Sequence, residues 1–260
     1  MIAESSHLYG SDRIAAWLNT EREWSYPRRV PYHPRSDAHG RAQCQYFLDD
    51  LLHESASIRH ASRNGDLVYQ ENYQVGHGGL SWNTDLVLGA PQDPQSITYD
   101  GSRAIGQADL ADIYLAVDAK SIMTEHQKAR RNRQRDINSF ADIMHHHHEH
   151  ALSAGIVLVN AARRFDSPLR PADEITHHAN IDRIVDEVID MFDALDRSAG
   201  EISPNLDGGG IVVVDHTNRV EDVGRTRCIT GPPAPQPHHR ARYENFVTQM
   251  AVWIETRFLA

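Results

Sequence analysis

The sequence predicts an α/β fold in which a central mixed β-sheet is flanked by helices on both faces. Two observations predict it: short apolar runs typical of buried strands, and longer stretches whose apolar residues recur near every 3.6 positions. The two kinds of segment alternate along most of the chain, which favours a sheet covered by helices. The predicted order of elements is α-β-β-β-α-β-α-β-α.

The predicted strands are of two types. Two extended stretches flank a glycine-rich segment at 76–79, which is typical of a hairpin turn. Three later runs are short and almost wholly apolar, and a glycine triplet, 208–210, precedes the last of them. The predicted strands cover residues 67–75, 80–88, 113–117, 155–159 and 211–214.

The helices are predicted from periodicity and from their ends. Thr124-Glu-His-Gln127 has the spacing of a capping box, so a helix is expected from Thr124 to about His146. Gly200 is expected to close a later, strongly amphipathic helix. The four predicted helices of this order span residues 41–58, 124–146, 181–195 and 243–254, and a short helical piece is expected at 12–19 in the N-terminal arm.

Length and composition narrow the class of protein. The chain has 260 residues, of which 40 % are hydrophobic, so it can bury a substantial core. No run of 18 apolar residues predicts a membrane span, and residues 1–10 do not resemble a signal peptide. Cys44 and Cys228 lack zinc-site spacing, which favours reduced thiols and a cytoplasmic location. We expect an N-terminal arm at 1–40 and one domain at 41–260 with a C-terminal helical extension.

Charge is unevenly distributed along the chain. The formal net charge is −10, yet residues 120–135 carry +5, so the remainder carries −15. A basic stripe on an acidic body indicates a binding surface for one polyanion. The alternative is that the stripe pairs with the acidic face of the helix at 181–195. The basic residues are Lys120, Lys128, Arg130, Arg131, Arg133 and Arg135.

Two acids and a lysine are the strongest candidate site. Asp118 and Lys120 follow the apolar run at 113–117, and alternation along a strand points both side chains to one side. Asp85 enters another predicted strand, so it can face Asp118 if the two strands are neighbours. Two facing carboxylates need a cation, and oxygen ligands suit Mg²⁺. The alternative is a structural Asp118–Lys120 salt bridge at a strand end.

This combination resembles the PD-(D/E)xK nucleases, typified by type II restriction endonucleases. Residues 41–160 follow the family's order of helix, three-stranded meander, helix and strand. The resemblance implies a restriction-endonuclease-like core in which Asp85, Asp118 and Lys120 are catalytic. It also implies that Asp85, Asp118 and the Ala119 carbonyl hold Mg²⁺, for which Mn²⁺ can substitute. Glu54 resembles a supporting metal acid of some members, or else lies on a solvated helix face.

The chain departs from the family pattern in two ways. Thr84 stands where many members have proline, and the interval between Asp85 and Asp118 is long. The long interval leaves Asp100, Asp109 and Asp112 as alternative first acids.

The function implied by the resemblance is hydrolysis of phosphodiester bonds in double-stranded DNA. A sequence-specific type II restriction enzyme is expected, acting as a homodimer with a cognate DNA methyltransferase in the same system. The alternatives are a structure-specific repair or mobile-element nuclease, and a non-catalytic DNA-binding module. The expected DNA-binding residues are Lys128, Arg130, Arg131, Arg133 and Arg135. The sequence leaves open whether the His145–His150 tract binds a metal such as Zn²⁺.

Overall fold

The computed structural model describes residues 7–24, 29–77, 79–101, 103–171, 173–195 and 206–260. Within them a seven-stranded mixed sheet is flanked by helices on both faces, which confirms the predicted α/β class. The helices are α1 Gly10–Leu18, α2 Ala38–Glu54, α3 Ala56–Asn64, α4 His126–His147, α5 Ile181–Leu195 and α6 Tyr243–Phe258.

The strand order in the large sheet is β3-β1-β2-β4-β5-β8-β9. Strands β1, β2 and β4 form an antiparallel meander, and β4, β5 and β8 run parallel. A separate two-stranded ribbon is formed by β6 and β7. The strands are β1 Val68–His77, β2 Leu80–Pro91, β3 Gly106–Gln107, β4 Leu110–Ile122, β5 Leu152–Asn160, β6 Arg164–Phe165, β7 Thr176–His177, β8 Gly208–Asp215 and β9 Arg227–Cys228.

The sheet separates two hydrophobic cores. On one face, Phe47 of α2 stacks on Phe246 of α6 at 5.2 Å between ring centroids, above Leu115 of β4. On the other face, Phe140 of α4 and Val188 of α5 pack against the sheet. Because β4 is the central strand of the seven, both of its faces are covered over most of its length.

The predicted arm at 1–40 contributes to the first of these cores. Ile14 and Leu18 of α1 are fully buried, and Tyr32 is 2 % exposed. The backbone of Tyr32 is held at both ends by the amide of Asn218, which accepts from its N–H and donates to its carbonyl. The helix that follows begins at Ala38, inside the predicted arm.

Two of the helix predictions were wrong. The helix expected at 41–58 is two helices, because the chain breaks at Ser55, whose side chain caps α3 by accepting from the Ile58 N–H. The capping box at Thr124 does not form: α4 begins at His126, and Glu125 before it has a left-handed φ of 49° without a side-chain cap. These ends depend on local backbone conformations that periodicity does not report.

The strand expected to end at Val117 continues to Ile122. Its extension is paired in parallel with β5, with Asp118 opposite Gly155 and Lys120 opposite Val157. Asp118 and Lys120 therefore lie inside β4 and not at its end, because the neighbouring parallel strand satisfies the backbone there.

The glycine triplet expected before the last strand lies inside β8. Packing explains why these strand positions are glycine, since a Cβ on Gly209 would lie 2.0 Å from Cδ1 of Phe192, and one on Gly210 would lie 2.6 Å from Cδ1 of Phe246. Gly200, expected to close α5, lies outside the described residues. Within the described part of the chain, the helices are all too short or too polar to span a bilayer.

Candidate active site

The candidate site lies where β2 and β4 separate. Pairing between them stops at Leu86 and Val117, whereas β4 stays paired with β5 as far as Ile122. Beyond that point two side chains of β2 form hydrogen bonds with the backbone of β4. The hydroxyl of Thr84 donates to the Val117 carbonyl at 2.7 Å. A carboxylate oxygen of Asp85 accepts from the Ala119 N–H at 2.7 Å.

This arrangement brings Asp85 to the segment that carries Asp118 and Lys120. It also gives Thr84 a role that proline, which has no hydroxyl, could not fill. The three residues singled out from the sequence thus meet at one place, through a strand separation that the sequence does not reveal.

The Asp118 carboxylate is fully buried and only half satisfied. Its Oδ1 lies 2.6 Å from Lys120 Nζ, whereas its Oδ2 makes no hydrogen bond of normal geometry among the described residues. Burial raises the pKa of Asp118 to about 7; Asp85 adds to the shift, and Lys120 and a weak hydrogen bond from Trp82 oppose it. Such a carboxylate is costly to keep ionised in the protein alone, and a cation at Oδ2 would offset that cost.

Lys120 and Trp82 form the next part of the site. The Lys120 side chain is 15 % exposed, and its ammonium lies 5.8 Å from the centroid of the Trp82 ring, within cation–π range. Sequence reasoning missed Trp82. The available signal was its position on the strand of Asp85, three residues earlier.

The N-terminal turn of α2 lies over β4 at this point. A Cβ on Gly40 would stand 3.8 Å from the Ala119 carbonyl oxygen, the predicted third metal ligand. The neighbouring His39 is buried, which lowers its pKa to about 4, and the nearby cations Arg133 and Lys120 act in the same direction. Its ring is therefore neutral near pH 7. Arg133 is thus an arginine of α4 that the fold brings towards the site.

Cys44, one turn farther along α2, is close to the same carboxylates. Burial raises the pKa of its thiol, and Asp85 and Asp118 raise it further. Both Cys44 and Cys228 are free thiols. Since a neutral buried thiol is a poor nucleophile, Cys44 is a packing residue at this site.

Glu54 is not brought to this site. It lies fourteen residues after Gly40 on α2, which corresponds to about 20 Å of helix. Its carboxylate accepts from the hydroxyls of Tyr9 and Thr248 instead. Glu54 therefore ties the N-terminal segment to α6.

The alternative first acids also lie elsewhere. Asp112 is six residues before Asp118 in β4, or about 20 Å along an extended strand. Asp100 pairs with Arg103, which also pairs with Asp49 in the second half of α2. Asp109 precedes β4 altogether. Asp85 is the acid of these four that lies beside Asp118.

The oxygen ligands at this site suit Mg²⁺ better than a metal ion whose ligands all come from the protein. Among the described residues there is no cluster of three or more His, Cys, Asp or Glu side chains that could hold a metal ion. Two carboxylates and a carbonyl fit Mg²⁺, which usually binds one or two carboxylates and completes its shell with waters and substrate phosphates. The half-satisfied carboxylate of Asp118 agrees with that fit.

The basic residues of α4 divide into two groups. Arg130 lies 3.2 Å from the carboxylate of Glu187 on α5, and Arg133 lies 2.7 Å from Asp136 on its own helix. Pairing with the helix at 181–195, the alternative to DNA binding, thus applies to Arg130. The exposed basic residues are Lys128, Arg131 and Arg135.

These three exposed residues differ in whether they have a partner within the protein. Lys128 is near Glu125 at 3.9 Å, and Arg135 donates to Asn132 at 2.7 Å. Arg131 makes no ion pair or hydrogen bond within the described part of the chain. Its guanidinium is the most available of the set for an external anion.

The histidine tract ends α4 and anchors it. His145 lies 3.0 Å from the Ser153 hydroxyl, and His147 contacts the Leu80 carbonyl at 3.1 Å. The helix stops at His147, so His146 and His150 do not share a helical face. The tract therefore holds the end of the helix against β5 and the hairpin.

None of the protein-family models matches this chain. Comparisons with curated proteins and with solved structures found no match either. The functional argument therefore depends on the residues and geometry of the site.

Proposed function

We propose that this protein is a Mg²⁺-dependent endonuclease that hydrolyses phosphodiester bonds in double-stranded DNA. The observation that supports it most is the Asp118 carboxylate: fully buried, held on one oxygen by Lys120, and without a hydrogen bond of normal geometry on the other. A purely structural salt bridge would be expected to satisfy both oxygens or to leave one in water. With Asp85 adjacent, the arrangement suits a divalent cation and a phosphate.

The residues divide the chemistry between them. Asp85, Asp118 and the Ala119 carbonyl would hold the cation, with Mn²⁺ able to replace Mg²⁺. Bound there, Mg²⁺ would polarise the scissile phosphate and lower the pKa of a water molecule. Lys120 would orient the attacking water and stabilise the negative charge that develops on the phosphate. The shielding by α2 and Trp82 strengthens both electrostatic effects.

DNA would be held by its phosphates along α4. Arg131, Lys128 and Arg135 are exposed, and Arg133 lies towards the catalytic residues. Arg130 would act indirectly, because its pair with Glu187 fixes α4 against α5. The interface accounts for a local charge of +5 on a chain whose net charge is −10.

The finer assignment rests on the family resemblance. The resemblance implies a restriction-endonuclease-like core, cleavage at one sequence and a cognate DNA methyltransferase. It also implies a homodimer with two-fold symmetry, because two copies of the chain cut a symmetric site most simply. A cytoplasmic location is part of the same proposal.

The test is cleavage of plasmid and phage DNA in the presence of Mg²⁺, followed by sequencing of the ends. We expect 5′-phosphate and 3′-hydroxyl ends at one recurring sequence. Cuts at branches or mismatches would instead indicate a repair or mobile-element nuclease. Tight DNA binding without cleavage in Mg²⁺ or Mn²⁺ would indicate a non-catalytic DNA-binding module and would contradict the proposal.

A further inference from the structure

Asn72 of β1 has a backbone conformation that is unusual within a strand. Its φ is 52°, in the left-handed region, although β1 continues on both sides of it. The β1–β2 ladder is interrupted at the same place: the pairs on either side are formed, whereas Asn72 and Asp85, which stand opposite each other, are not paired. The distortion of β1 therefore lies directly opposite the proposed first metal acid.

The side chains of both strands change faces at this point. Alternation along a strand places residues that are four apart on the same face. On β1, however, Tyr69 packs in the core on the α2 side of the sheet and Tyr73 packs in the core on the α4 side. On β2, Leu86 packs in the first of these cores and Trp82 in the second. A sharp twist of the hairpin at the interrupted pair accounts for both changes.

The twist explains why β2 leaves β4. Pairing between β2 and β4 ends at Leu86, next to Asp85, and the hairpin then continues towards α4, where the Leu80 carbonyl contacts His147. At the twist, a carboxylate oxygen of Asp85 accepts from the Ala119 N–H, in place of a β2 carbonyl. The strand separation and the placement of Asp85 thus have one structural origin.

We propose that Asn72 is a positioning residue of the metal site. Its left-handed backbone sets the twist that separates β2 from β4, and this separation lets Asp85 reach the segment of Ala119 and Asp118. Asparagine and glycine tolerate such a backbone, whereas other residues adopt it at a cost, and β-branched residues above all. The inference rests on the proposed function, because it concerns how the Mg²⁺ ligands are brought together.

The side chain of Asn72 does not explain its presence. It is exposed, and it makes no hydrogen bond within the described part of the chain. Residues held in sparsely populated backbone conformations persist where the surrounding structure requires them, and they concentrate at functional sites. The backbone preference of asparagine is therefore the property that a test should vary.

The first measurement compares Mg²⁺ affinities. Asn72→Gly keeps the left-handed conformation accessible, and Asn72→Val disfavours it. Mg²⁺ is titrated by calorimetry, first without DNA and then with a short duplex. Asn72→Gly should bind like wild type. Asn72→Val should bind about fivefold to thirtyfold more weakly, which corresponds to about 1–2 kcal/mol of backbone strain.

The amide proton of Ala119 reports the same geometry without metal. In protein labelled with ¹⁵N-alanine, its NMR resonance is the one that Ala119→Ser removes. A hydrogen bond to a carboxylate shifts an amide proton downfield, so Asn72→Val should move this resonance upfield and Asn72→Gly should leave it in place. Asn72→Ala, which imposes a smaller backbone cost, replaces Asn72→Val if circular dichroism shows that the latter does not fold.

Asn180→Val is the matched control. Asn180 is also exposed and has a φ of 54°, but it lies immediately before α5 and outside the candidate site. Its replacement imposes the same kind of backbone cost, so a general loss of stability would appear in this variant as well. The control should keep the wild-type Mg²⁺ affinity and the wild-type Ala119 resonance.

The outcomes separate this inference from the proposed function. If Asn72→Val is folded, binds Mg²⁺ like wild type and keeps the Ala119 resonance, while Asp118→Asn loses Mg²⁺ binding, the inference fails and the proposed function stands. Equal changes in Asn72→Val and Asn180→Val would also overturn the inference. If wild type binds no Mg²⁺ with or without duplex, the proposed function fails, and the Ala119 resonance alone supports or overturns the placement of Asp85 by Asn72.

Discussion

Thr84 stabilises the point at which β2 leaves β4. Its hydroxyl donates to the Val117 carbonyl, one residue before Asp118, and its side chain is 1 % exposed. Thr84→Val keeps the shape and leaves the carbonyl without this donor. We expect a loss of about 1–3 kcal/mol in the free energy of unfolding, measured by urea denaturation.

Thr256→Val is the matched control for that change. Thr256 donates to a carbonyl on the exposed side of α6, so the same substitution should cost less than about 0.5 kcal/mol. Equal losses of unfolding free energy in the two variants would show that the hydrogen bond of Thr84 stabilises the fold no more than the exposed hydrogen bond of Thr256 does.

Asp85 is expected to be the first metal acid. Asp85→Asn should abolish cleavage, because it removes the negative charge beside Asp118, while the amide oxygen can still accept from the Ala119 N–H. Asp100→Asn and Asp109→Asn should cleave DNA like wild type. Full activity of Asp85→Asn, with loss of activity in either of the others, would move the first acid into the 100–109 segment.

Lys120 is expected to act on the reaction and not on metal binding. Lys120→Met should remove cleavage, because it removes the charge that stabilises the phosphate and orients the water. Mg²⁺ binding to the DNA complex should remain, since both carboxylates are kept. Calorimetry in which Mg²⁺ binding disappears with the lysine would make Lys120 a structural partner of Asp118.

The secondary structure elements show what the sequence can and cannot predict about this site. Periodicity located α4, β4 and β5 correctly, because each has a long apolar stripe or run. It failed at the end of β4, since pairing with β5 extends that strand past Lys120. It also missed the chain break at Ser55, which depends on one hydroxyl.

The site residues follow the same division. The meeting of Asp85, Asp118 and Lys120 could be predicted, because Asp118 and Lys120 follow an apolar run and Asp85 stands at the start of another. Trp82 and His39 could not be predicted, since their relevance comes from contacts across strands or between helix and sheet. Glu54 resembled a supporting metal acid by its position on a helix. However, α2 runs away from the site, so Glu54 lies about 20 Å along the helix from Gly40.

The α4 helix is expected to contact DNA through phosphates. Arg131→Ala should weaken binding to specific and random duplexes together, and should lower the slope of log K against log salt by about 0.9. Arg130→Ala should mainly reduce stability, because it breaks the pair with Glu187. Titrations at several salt concentrations distinguish the two. Unchanged binding after alanine replacement of Arg131, Arg133 and Arg135 would show that α4 does not touch DNA.

At the scale of the whole molecule, buried titratable groups set how stability depends on pH. Burial lowers the pKa of His39 and of His216 to about 4, below the unfolded value of about 6.5. Their contribution is present above pH 6.5 and is lost as the pH falls towards 4. Asp118 acts in the opposite sense, because its raised pKa of about 7 means that its contribution is greatest below pH 4 and is lost as the pH rises through 7.

Between pH 4.5 and 6 the two histidines outweigh the one carboxyl. Unfolding then takes up a net of one proton from these three groups, which lowers stability by about 1.4 kcal/mol per pH unit on acidification. His178, whose pKa burial also lowers to about 4, makes the dependence steeper in the same direction. His216→Asn should flatten this dependence, and His238→Asn, at an exposed position, should not. Urea midpoints at pH 4.5 and 6 measure it. An unchanged slope in His216→Asn would show that His216 does not stay neutral in the fold.

The central claim is that Asp118 belongs to a Mg²⁺-dependent site that cuts DNA. The most direct measurement is conversion of supercoiled plasmid to nicked and linear forms by wild type, Asp118→Asn and Asp112→Asn, each with Mg²⁺ and with EDTA. Asp112 is exposed on the same strand and provides the matched carboxylate control. We predict cleavage by wild type and Asp112→Asn in Mg²⁺ alone, and none by Asp118→Asn. Cleavage by folded Asp118→Asn at the wild-type rate would contradict the account.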